Sequence, residues 1–362
     1  MTDWKVAAVD FDHVHAAENL RMAHEHPDVT VVGVCDENRE RSADDVDAAV
    51  ERFEIPGERV YDDADACLGE TEPDIVLLSP ATATHGEWVE HVADYDTHVV
   101  LEKPLAATLA EADRALDAMA ESDGELCVNW PLAWYPPHRT TKRLLKEGTI
   151  GEITEIHFYD GNRGPLHRGS DRTEHTIEEA AALREETWFY RDDLGGGSLL
   201  DYLGYGTTLA TWFRDGDLPS EVTTTTDGAD GLEVDEQSVT VARYDHGLST
   251  FETRWGTFTD PWIDQPQPRC GFVVCGTAGT ISSWDYDDRI TVQTADAPEG
   301  ETIPVDSIEP RNRNPIRNLI HHLDTGAPLD EPLTPELNRR SQRIVETARR
   351  SAARGEPVSL VE

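Results

Sequence analysis

The first third of the chain alternates short apolar segments with helical segments, and this order constrains the fold more than any other feature. The apolar segments have the length of strands; the predicted strands are residues 5–9, 29–35, 74–78, 97–101 and 126–129. Continuous apolar strands separated by helices are typical of a parallel sheet that is covered on both faces. We therefore predict an α/β domain over residues 1–130 with a doubly wound parallel sheet, which binds ligands at the carboxyl ends of its strands.

The pattern changes near residue 130, where prolines are interspersed with aromatic residues. Beyond this point the predicted strands are residues 153–159, 238–244, 248–254, 272–275, 280–284, 290–293 and 358–361. These segments suit a mostly antiparallel sheet, so we predict an α+β second domain over residues 131–362. Residues 161–187 are polar and predict a loop or lid, and residues 335–354 predict a helix in a tail that packs back on the first domain.

The net charge excludes two classes of partner. Asp and Glu number 72 and Lys and Arg number 31 among the 362 residues, which gives a formal net charge of −41. Such a chain repels nucleic-acid phosphates and an anionic membrane face, so we expect neither as a partner. No apolar run approaches the ~20 residues that span a bilayer, and the first residues lack the pattern of a secretory signal.

The acidic residues are spread over the whole chain rather than gathered in one block. Because salt at ~1 M shortens the Debye length to ~3 Å, a uniformly acidic surface suits a protein of a salt-rich cytoplasm. An acidic surface that binds a partner is the alternative interpretation. The five cysteines form no Cys-x-x-Cys pair and most have apolar neighbours, which indicates free, buried thiols in a reducing cytoplasm.

The turn after the first predicted strand reads Asp10-Phe11-Asp12-His13-Val14-His15. In a Rossmann-type domain this turn has the pattern Gly-x-Gly-x-x-Gly, whose glycines let the backbone approach a pyrophosphate at a helix N-terminus. Asp10, Asp12 and His15 occupy the three glycine positions. Two unit charges ~4 Å apart at an effective dielectric of ~20 interact by ~4 kcal/mol, so the acids count against tight dinucleotide binding. Alternatively, the acids point away, lie opposite His13 or His15, or cap the helix, for which Asp12 is suited.

Asp36 ends the second predicted strand. In a dinucleotide-binding domain an acid at this place accepts hydrogen bonds from the adenosine ribose and repels a 2′-phosphate, which favours NAD over NADP. Arg39 and Arg41 follow closely and leave NADP open as a cofactor. A carboxylate that only caps the end of the strand is the alternative interpretation.

Three motifs occur in a characteristic order. A Ser79-Pro80 step and His85 follow one predicted strand, Glu102-Lys103-Pro104 follows the next, and a Gly195-Gly196-Gly197 run opens a helix that contains Asp201 and Tyr205. In this order the motifs resemble the Gfo/Idh/MocA family (glucose–fructose oxidoreductase and inositol dehydrogenase) of nicotinamide-dependent oxidoreductases. Turns at 148–153 and 276–281 resemble the junctions of the same family, so the resemblance covers nearly the whole chain.

The resemblance implies hydride transfer between NAD, or NADP, and a carbinol carbon of a sugar or polyol. Lys103 would touch the substrate hydroxyl and the nicotinamide ribose, and Asp201 would orient the substrate. The usual general base of the family is a His four residues after this Asp, and Tyr205 stands there instead. A free phenol has a pKa of ~10, which a nearby Lys103 ammonium would lower, so Tyr205 is the predicted base. A buried Tyr205 with a satisfied hydroxyl is the alternative.

Further candidate residues surround these three. The residues expected at the cofactor are Phe11, Asp12, His13, Asp36, Arg39, Ser79, Pro80, His85, Glu102 and Lys103. Aromatic faces stack on sugar C–H surfaces, and the residues expected at the substrate are Lys103, Asn129, Trp130, Trp188, Arg191, Asp201 and Tyr205. We expect no metal, because His13-x-His15 and His321-His322 lack supporting Cys, His or carboxylate residues at a suitable spacing.

Two other functions stay open for the sequence. One is a glycosidase or lyase of the same family that retains NAD and oxidises its substrate only transiently. The other is a non-catalytic binding or regulatory homologue, because the glycine pattern of the first turn is lost; the presence of Lys103 and Asp201 counts against it. Members of the family often pack the open faces of their second-domain sheets together, so we also expect a homo-oligomer.

Overall fold

The computed structural model describes residues 3–167 and 176–362, apart from the side chains of residues 39–44 and 177. The first domain has one sheet of six parallel strands: β1 (Trp4–Val9), β2 (Val29–Cys35), β3 (Val60–Tyr61), β4 (Ile75–Leu78), β5 (His98–Glu102) and β6 (Leu126–Asn129). Their order, β3-β2-β1-β4-β5-β6, is that of a Rossmann fold, and it confirms the predicted doubly wound sheet. The order reverses between β1 and β4, so a crevice opens at the carboxyl ends of these strands.

Five helices cover this sheet: α1 (Ala16–His24), α2 (Arg39–Arg52), α3 (Ala64–Thr71), α4 (His85–Ala93) and α5 (Leu109–Glu121). Every residue of β4 is buried, as a strand covered on both faces requires. Side chains define where two of the helices begin. Asp63 accepts a hydrogen bond from the backbone N of Ala66 at the start of α3, and Thr108 accepts one from the backbone N of Glu111 at the start of α5.

The second domain has a sheet of nine strands: β7 (Ile153–Asn162), β8 (Glu221–Asp227), β9 (Gln237–Tyr244), β10 (Gly247–Trp255), β11 (Gly271–Gly276), β12 (Gly279–Trp284), β13 (Arg289–Thr294), β14 (Glu301–Pro304) and β15 (Val358–Ser359). Their order is β14-β13-β12-β11-β7-β10-β9-β8-β15. Neighbours are antiparallel except β7 and β10, which are parallel. The predicted α+β domain with a mostly antiparallel sheet is therefore confirmed.

Five further helices belong to this half of the chain: α6 (Pro136–Lys146), α7 (Ile177–Glu186), α8 (Ser198–Phe213), α9 (Pro315–Thr325) and α10 (Pro335–Arg354). All sixteen residues of α8 are buried, and the helix packs on β7 and β10. Gly206 makes this close approach possible, since a Cβ there would lie 2.4 Å from the ring of Phe158. The burial of α8 fixes the positions of Asp201 and Tyr205.

The tail packs against the first domain. Ile316 and Leu319 of α9 share one apolar core with Val6 and Leu77 of the parallel sheet. The indole Nε1 of Trp130 donates a hydrogen bond to Asn338 of α10. These contacts hold the two halves of the chain in one arrangement. In the described part of the chain no helix is both long enough and apolar enough to cross a bilayer, and the five cysteines are free.

Candidate active site

A cavity of about 780 Å³ lies at the carboxyl edge of the parallel sheet, between the two domains. His15, from the turn after β1, and Lys103, which follows β5, line it from the first domain. Asp201 and Tyr205 of α8 line it from the second domain. The structure thus brings together the three predicted catalytic residues, although Lys103 is 98 positions from Asp201 in the sequence.

Lys103 and Asp201 form a buried ion pair at this cavity. The Nζ of Lys103 lies 2.6 Å from Oδ1 of Asp201 and 3.0 Å from its backbone O. The other carboxylate oxygen of Asp201 accepts a hydrogen bond of 3.1 Å from the indole Nε1 of Trp255. A buried charge pair of this kind requires good geometry and additional hydrogen bonds, and both are present here. Two of the three N–H groups of Lys103 are donated to Asp201, which leaves one for a ligand in the cavity.

Tyr205 is not arranged as the sequence analysis predicts. The Nζ of Lys103 lies over the face of the Tyr205 ring, 5.0 Å from its centroid. The pKa of Tyr205 is raised well above its ordinary value, first by burial and then by the charges of Glu102, Asp201 and Asp160. The predicted lowering of this pKa is therefore wrong, because burial of the phenol, together with several carboxylates, outweighs one nearby ammonium group. In this arrangement Tyr205 keeps its proton at neutral pH.

Three backbone N–H groups of the turn from Asp10 to His15 already have acceptors within the protein. The backbone N of Asp12 donates to Oδ1 of Asp10 at 2.9 Å, and that of His15 donates to Nδ1 of His13 at 3.1 Å. The backbone N of His13 donates to the backbone O of Ser79 at 2.9 Å. Asp10 has a φ of 65°, in the left-handed region that a glycine normally occupies. The carboxylate and the imidazole thus accept the hydrogen bonds that a bound phosphate accepts in a glycine-rich turn.

Three carboxyl groups lie together behind this turn. The pKa of Asp10 is raised to about 7, first by burial and then by the charge of Asp12, with a smaller contribution from Asp36. Oδ2 of Asp10 accepts a hydrogen bond from the side chain of Asn38, and Oδ1 of Asp36 accepts one from the backbone N of the same residue. At neutral pH Asp10 is therefore only partly ionised, which reduces the repulsion of a phosphate.

The donors and acceptors at this edge of the sheet fit the two ends of a dinucleotide. Asp36 lies at the carboxyl end of β2, where an acid accepts hydrogen bonds from the adenosine ribose. Lys103 and Asp201 lie where β5 meets α8 and can serve the nicotinamide end. Between these ends, the pyrophosphate has to approach a turn in which the N–H groups of Asp12, His13 and His15 already have acceptors. The side chain of Arg39, also predicted at the cofactor, lies outside the described part of the chain.

His13, His15 and Glu102 form a compact group beside the turn. Their candidate ligand atoms all lie within 4.8 Å of one another, so this group could hold a metal ion. The sequence analysis expected no supporting carboxylate for His13-x-His15, and the structure corrects this, since Glu102 of β5 lies 2.9 Å from Nδ1 of His15. The lone pair of His13 Nδ1, however, accepts a backbone hydrogen bond and is not directed at a cation.

Trp188 lies on the predicted cofactor turn and not in the cavity. Its indole Nε1 donates a hydrogen bond of 2.8 Å to the backbone O of Asp12. Its ring stacks on Phe189, at 3.8 Å between centroids, and both rings pack against His13. Gly196 allows this segment to turn tightly, since a Cβ there would lie 2.3 Å from the backbone O of Phe189. The structure therefore does not place Trp188 at the substrate. Its indole instead packs over the turn, in which Phe11, Asp12 and His13 are buried.

Three other predicted substrate contacts also lie elsewhere. Asn129 is buried and hydrogen-bonded to Asn19 and Trp134. Trp130 packs edge-on against Tyr205, behind the cavity, and donates its N–H to Asn338 of α10. The guanidinium of Arg191 is at the surface and pairs with Asp193 at 2.7 Å. These side chains support the site or lie outside it, because the resemblance located their segments but not the directions of the side chains.

Predicted cofactor residues at the ends of β4 and β5 hold these strand ends together. The ring of His85 is fully buried between the backbone O of Pro104, 2.7 Å from Nδ1, and the backbone O of Pro80, 3.2 Å from Nε2. Burial lowers the pKa of His85 to about 4, so the ring is neutral. The Oγ of Ser79 accepts a hydrogen bond from Asn19. His85 is thus a packing residue that links two turns.

The sequence analysis missed several residues that line the cavity. These are His15, Glu18, Asp160, Asn162, Tyr202, Trp262, Asp285 and Tyr286. Asp160 is near the end of β7 and Asp285 directly follows β12, so the sheet places both carboxyl groups at one end. Polar residues at the ends of predicted strands were the available signal. Their proximity depends on the strand order, since β11 lies between β7 and β12.

A Rossmann-type sheet, at whose carboxyl edge Lys103 of the first domain pairs with Asp201 of the α+β domain, defines the chain by fold as a two-domain protein of the dinucleotide-binding class. The comparison with family models identifies the family within this class. The model of the oxidoreductase family with an NAD-binding Rossmann fold, GFO_IDH_MocA, matches residues 13–130, and the GFO/IDH/MocA C-terminal domain matches residues 138–282. The chain therefore belongs to the Gfo/Idh/MocA family, and its first domain is the NAD-binding domain of that family.

Individual relatives match parts of the chain. It is 31% identical over 194 residues to dTDP-3,4-didehydro-2,6-dideoxy-alpha-D-glucose 3-reductase of Streptomyces antibioticus, which is 53% of this chain and 51% of the relative. It is 33% identical over 141 residues to D-apiose dehydrogenase of Paraburkholderia graminis, which is 39% of this chain and 34% of the relative. The chain thus spans about half or less of the length of these relatives.

The fold is shared over the whole length with solved structures. An oxidoreductase from Agrobacterium radiobacter, in complex with NAD+, L-tartaric acid and magnesium, matches with a TM-score of 0.74 and covers 99% of both chains. The sequence identity is 20%, so the likeness is one of fold.

Proposed function

We propose that the chain is an NAD(P)-dependent oxidoreductase that acts on a CH–OH group of a neutral sugar or polyol. The buried pair of Lys103 and Asp201 on the wall of the cavity is the observation that supports this most directly. A fixed ammonium group beside a cavity stabilises negative charge that develops on a substrate oxygen. Membership of an oxidoreductase family with an NAD-binding domain supports the reaction class.

In the proposed reaction the C–O bond of the carbinol becomes a carbonyl, and the hydroxyl proton leaves to a base. The dinucleotide supplies the hydride acceptor when it is bound. Lys103 donates a hydrogen bond to the substrate oxygen, and Asp201 keeps the ammonium group in position. Because both side chains are buried and Trp255 fixes the carboxylate, little reorganisation is needed during the reaction.

The charge and shape of the cavity favour a substrate without anionic groups. Glu18, Asp160 and Asp285 line it with Asp201, whereas Lys103 is the single Lys or Arg among its lining residues in the described part of the chain. The pKa of Asp160 is raised well above its ordinary value, first by burial and then by Asp285 and Asp201, which favours a neutral carboxyl that can donate to a hydroxyl. The rings of Tyr135, Tyr202, Trp262 and Tyr286 also line the cavity and suit the C–H faces of a sugar.

Asp36 supports a preference for NAD over NADP. Its carboxylate lies at the carboxyl end of β2, where it would accept hydrogen bonds from the adenosine ribose and repel a 2′-phosphate. The high acidity of the chain supports a salt-rich cytoplasm as its location. The open face of the second-domain sheet supports a homo-oligomer.

A screen in molar KCl tests the proposed function. Neutral aldoses and polyols are offered with NAD+ or NADP+, and sugar acids and sugar phosphates of the same carbon skeleton serve as matched controls. We expect net reduction of NAD+ with at least one neutral compound and much lower kcat/KM with its anionic analogue. Binding of a dinucleotide without net reduction by any compound would instead favour an NAD-retaining glycosidase or lyase. The absence of dinucleotide binding would favour a non-catalytic homologue.

A further inference from the structure

We propose that His15, held by Glu102, is the group that takes up the hydroxyl proton of the substrate and returns it in the reverse direction. This inference rests on the proposed function and assigns its missing base. The position of His15 corresponds to the third glycine of a dinucleotide-binding turn, where no proton-transfer role is expected. The assignment follows from the hydrogen bonds of the imidazole, from its place at the cavity and from the state of the competing Tyr205.

Glu102 fixes the tautomer of His15. Nδ1 of His15 lies 2.9 Å from Oε1 of Glu102, and Asn19 donates a hydrogen bond of 3.0 Å to Oε2 of the same carboxylate. Burial raises the pKa of Glu102, but His15 and Lys103 outweigh burial, so this pKa is lowered and the group is a carboxylate. A carboxylate can only accept a hydrogen bond, so Nδ1 of a neutral His15 bears the hydrogen and Nε2 bears a lone pair.

The second ring nitrogen of His15 is available at the cavity. The side chain is 33% exposed, whereas that of Glu102 is fully buried, and His15 lines the cavity together with Lys103 and Asp201. Among the described residues no hydrogen bond is recorded to Nε2 of His15. An imidazole with one nitrogen bound to a buried carboxylate and the other open to a substrate cavity is the arrangement of a general base.

Groups from several elements surround His15. The ring of His13 packs edge-on against it, at 4.6 Å between centroids, and Glu18 of α1 lines the same cavity. From across the cavity, Asp160, Asp201, Tyr202, Tyr205 and Asp285 line it from the second domain. Tyr205, the alternative base, has a pKa well above its ordinary value and does not release its proton readily. Nε2 of His15 is thus an open proton acceptor at this cavity, whereas the hydroxyl of Tyr205 holds its proton.

The proposed step balances in atoms and electrons. The O–H bond of the carbinol breaks and its proton goes to Nε2 of His15. The C–H bond of the carbinol carbon breaks as well, and its hydride, with the electron pair, would be accepted by a bound nicotinamide dinucleotide. The carbon–oxygen bond becomes a carbonyl, and His15 becomes an imidazolium next to the Glu102 carboxylate. The carboxylate stabilises that charge, and Lys103 stabilises the oxygen during the transfer.

His15→Asn tests the assignment by rate and by pH dependence. We expect kcat/KM for oxidation to rise with pH in the wild type, since a general base acts only in its unprotonated form. In His15→Asn we expect kcat to fall by about 100-fold or more and this pH-dependent rise to disappear. His157→Asn is the matched control, because His157 also lies 2.9 Å from a carboxylate, that of Glu155, but on the open face of the second sheet. Unchanged kcat and an unchanged profile in His15→Asn would overturn the proposal.

Two further measurements do not depend on how well His15→Asn folds. Glu102→Gln removes the carboxylate beside the imidazole, so we expect the rising limb of the wild-type profile to move to lower pH. In the wild type, long-range proton–nitrogen spectra of ¹⁵N-labelled histidine should show neutral His15 with hydrogen on Nδ1. Hydrogen on Nε2 instead, or a limb that Glu102→Gln does not move, would contradict the proposal.

Failure of the proposed function gives a different result. A wild-type chain that reduces neither dinucleotide with any neutral sugar or polyol contradicts the proposed function, whereas the tautomer of His15 is measured without turnover. Loss of activity in EDTA that Zn²⁺ restores would assign His13, His15 and Glu102 to a cation and would overturn the role of His15 as a base. We expect EDTA to leave kcat and its pH profile unchanged.

Discussion

The turn from Asp10 to His15 and the cavity beside it lie at the same edge of the same sheet, but their polar groups are paired differently. In the turn, Asp10 accepts a hydrogen bond from a backbone N two residues away, so the pairing is local. In the cavity, Lys103 pairs with Asp201, 98 residues away in the sequence. The local hydrogen bond occupies a donor within the turn. The pairing between the domains leaves one N–H group of Lys103 for a ligand in the cavity. The carboxyl group of Asp10 therefore occupies a backbone donor that a cofactor needs, whereas that of Asp201 positions the Lys103 ammonium group for a ligand.

Removal of the Lys103 ammonium should have the largest effect on this comparison. We expect Lys103→Met to lower kcat by about 10²–10⁴-fold, because the substrate oxygen loses its positioned donor. The variant should also lose about 3–5 kcal/mol in its free energy of unfolding, since Asp201 is left as a buried, unpaired charge. Steady-state kinetics and chemical denaturation measure the two effects.

Two variants separate these effects. Lys103→Met combined with Asp201→Asn removes both charges, so stability should recover while kcat stays low. Lys142→Met is the control for the loss of a buried ammonium group outside the cavity. Lys142 is buried, donates to the backbone O of Trp212 and lies 2.5 Å from Oδ1 of the exposed Asp215. Lys142→Met should lose stability but keep its kcat. Near wild-type turnover in Lys103→Met would show that the pair is structural.

Asp10→Gly should open the turn to the cofactor. Glycine adopts a φ of 65° without strain, and the change removes the acceptor that occupies the backbone N of Asp12. We expect the Kd for NAD+ to fall by about tenfold or more, with a larger gain at pH 8 than at pH 6, because the pKa of Asp10 is about 7. Calorimetric titration in molar KCl measures the affinity. The effect of the Asp10 charge should persist in this salt, since buried charges are screened much less than exposed ones.

Glu72→Gly is the matched control for Asp10→Gly. Glu72 is also an acidic residue in the left-handed region, with a φ of 43°, but it ends α3 at the surface. It should leave the Kd unchanged. If Asp10→Gly binds NAD+ no better than the wild type, the internal hydrogen bonds of the turn do not compete with the cofactor, and the contrast between turn and cavity no longer holds.

Tyr205→Phe should have a smaller effect. Phenylalanine keeps the aromatic face on which the Lys103 ammonium lies, and Tyr205 holds its proton because its pKa is raised. We therefore expect kcat to stay within about tenfold of the wild type and the pH profile to keep its shape. A loss of more than about 100-fold, together with a lost limb of the profile, would return the role of base to Tyr205 and remove it from His15.

Local sequence patterns predicted much of the fold. The predicted strands at residues 29–35 and 126–129 coincide with β2 and β6, because buried parallel strands are continuous apolar runs with clear ends. The strand β3 and helix α3 were missed, since β3 has only two residues and therefore no periodicity. The resemblance also assigned Lys103 and Asp201 to one predicted site, and the structure pairs their side chains.

The rest of the site depends on contacts that no local pattern contains. β11 lies between β7 and β12 and is antiparallel to both, so β7 and β12 end at the same edge of the sheet and place Asp160 and Asp285 there. This strand order is not readable from the segments themselves. The pKa of Tyr205 is raised first by its burial and then by carboxylates that include Glu102 and Asp160 on other elements, and a local pattern shows neither. Trp188 was expected at the substrate, but the fold of its segment turns the indole toward the backbone of Asp12.

The smallest expected effect is a pH-dependent change in stability on Asp10→Asn. The pKa of Asp10 is raised from an ordinary 3.8 to about 7, first by burial, so the folded chain holds a proton that the unfolded chain releases near pH 4. The resulting stabilisation is complete below about pH 4 and is lost as the pH rises to about 7. Asparagine does not ionise, so the Tm of Asp10→Asn minus that of the wild type should increase by about 2–4 °C between these pH values. Above about pH 7 this difference should stay constant. Asp296→Asn, at an exposed position, should show a constant difference, and a constant difference in Asp10→Asn as well would mean that the turn holds an ionised Asp10 throughout.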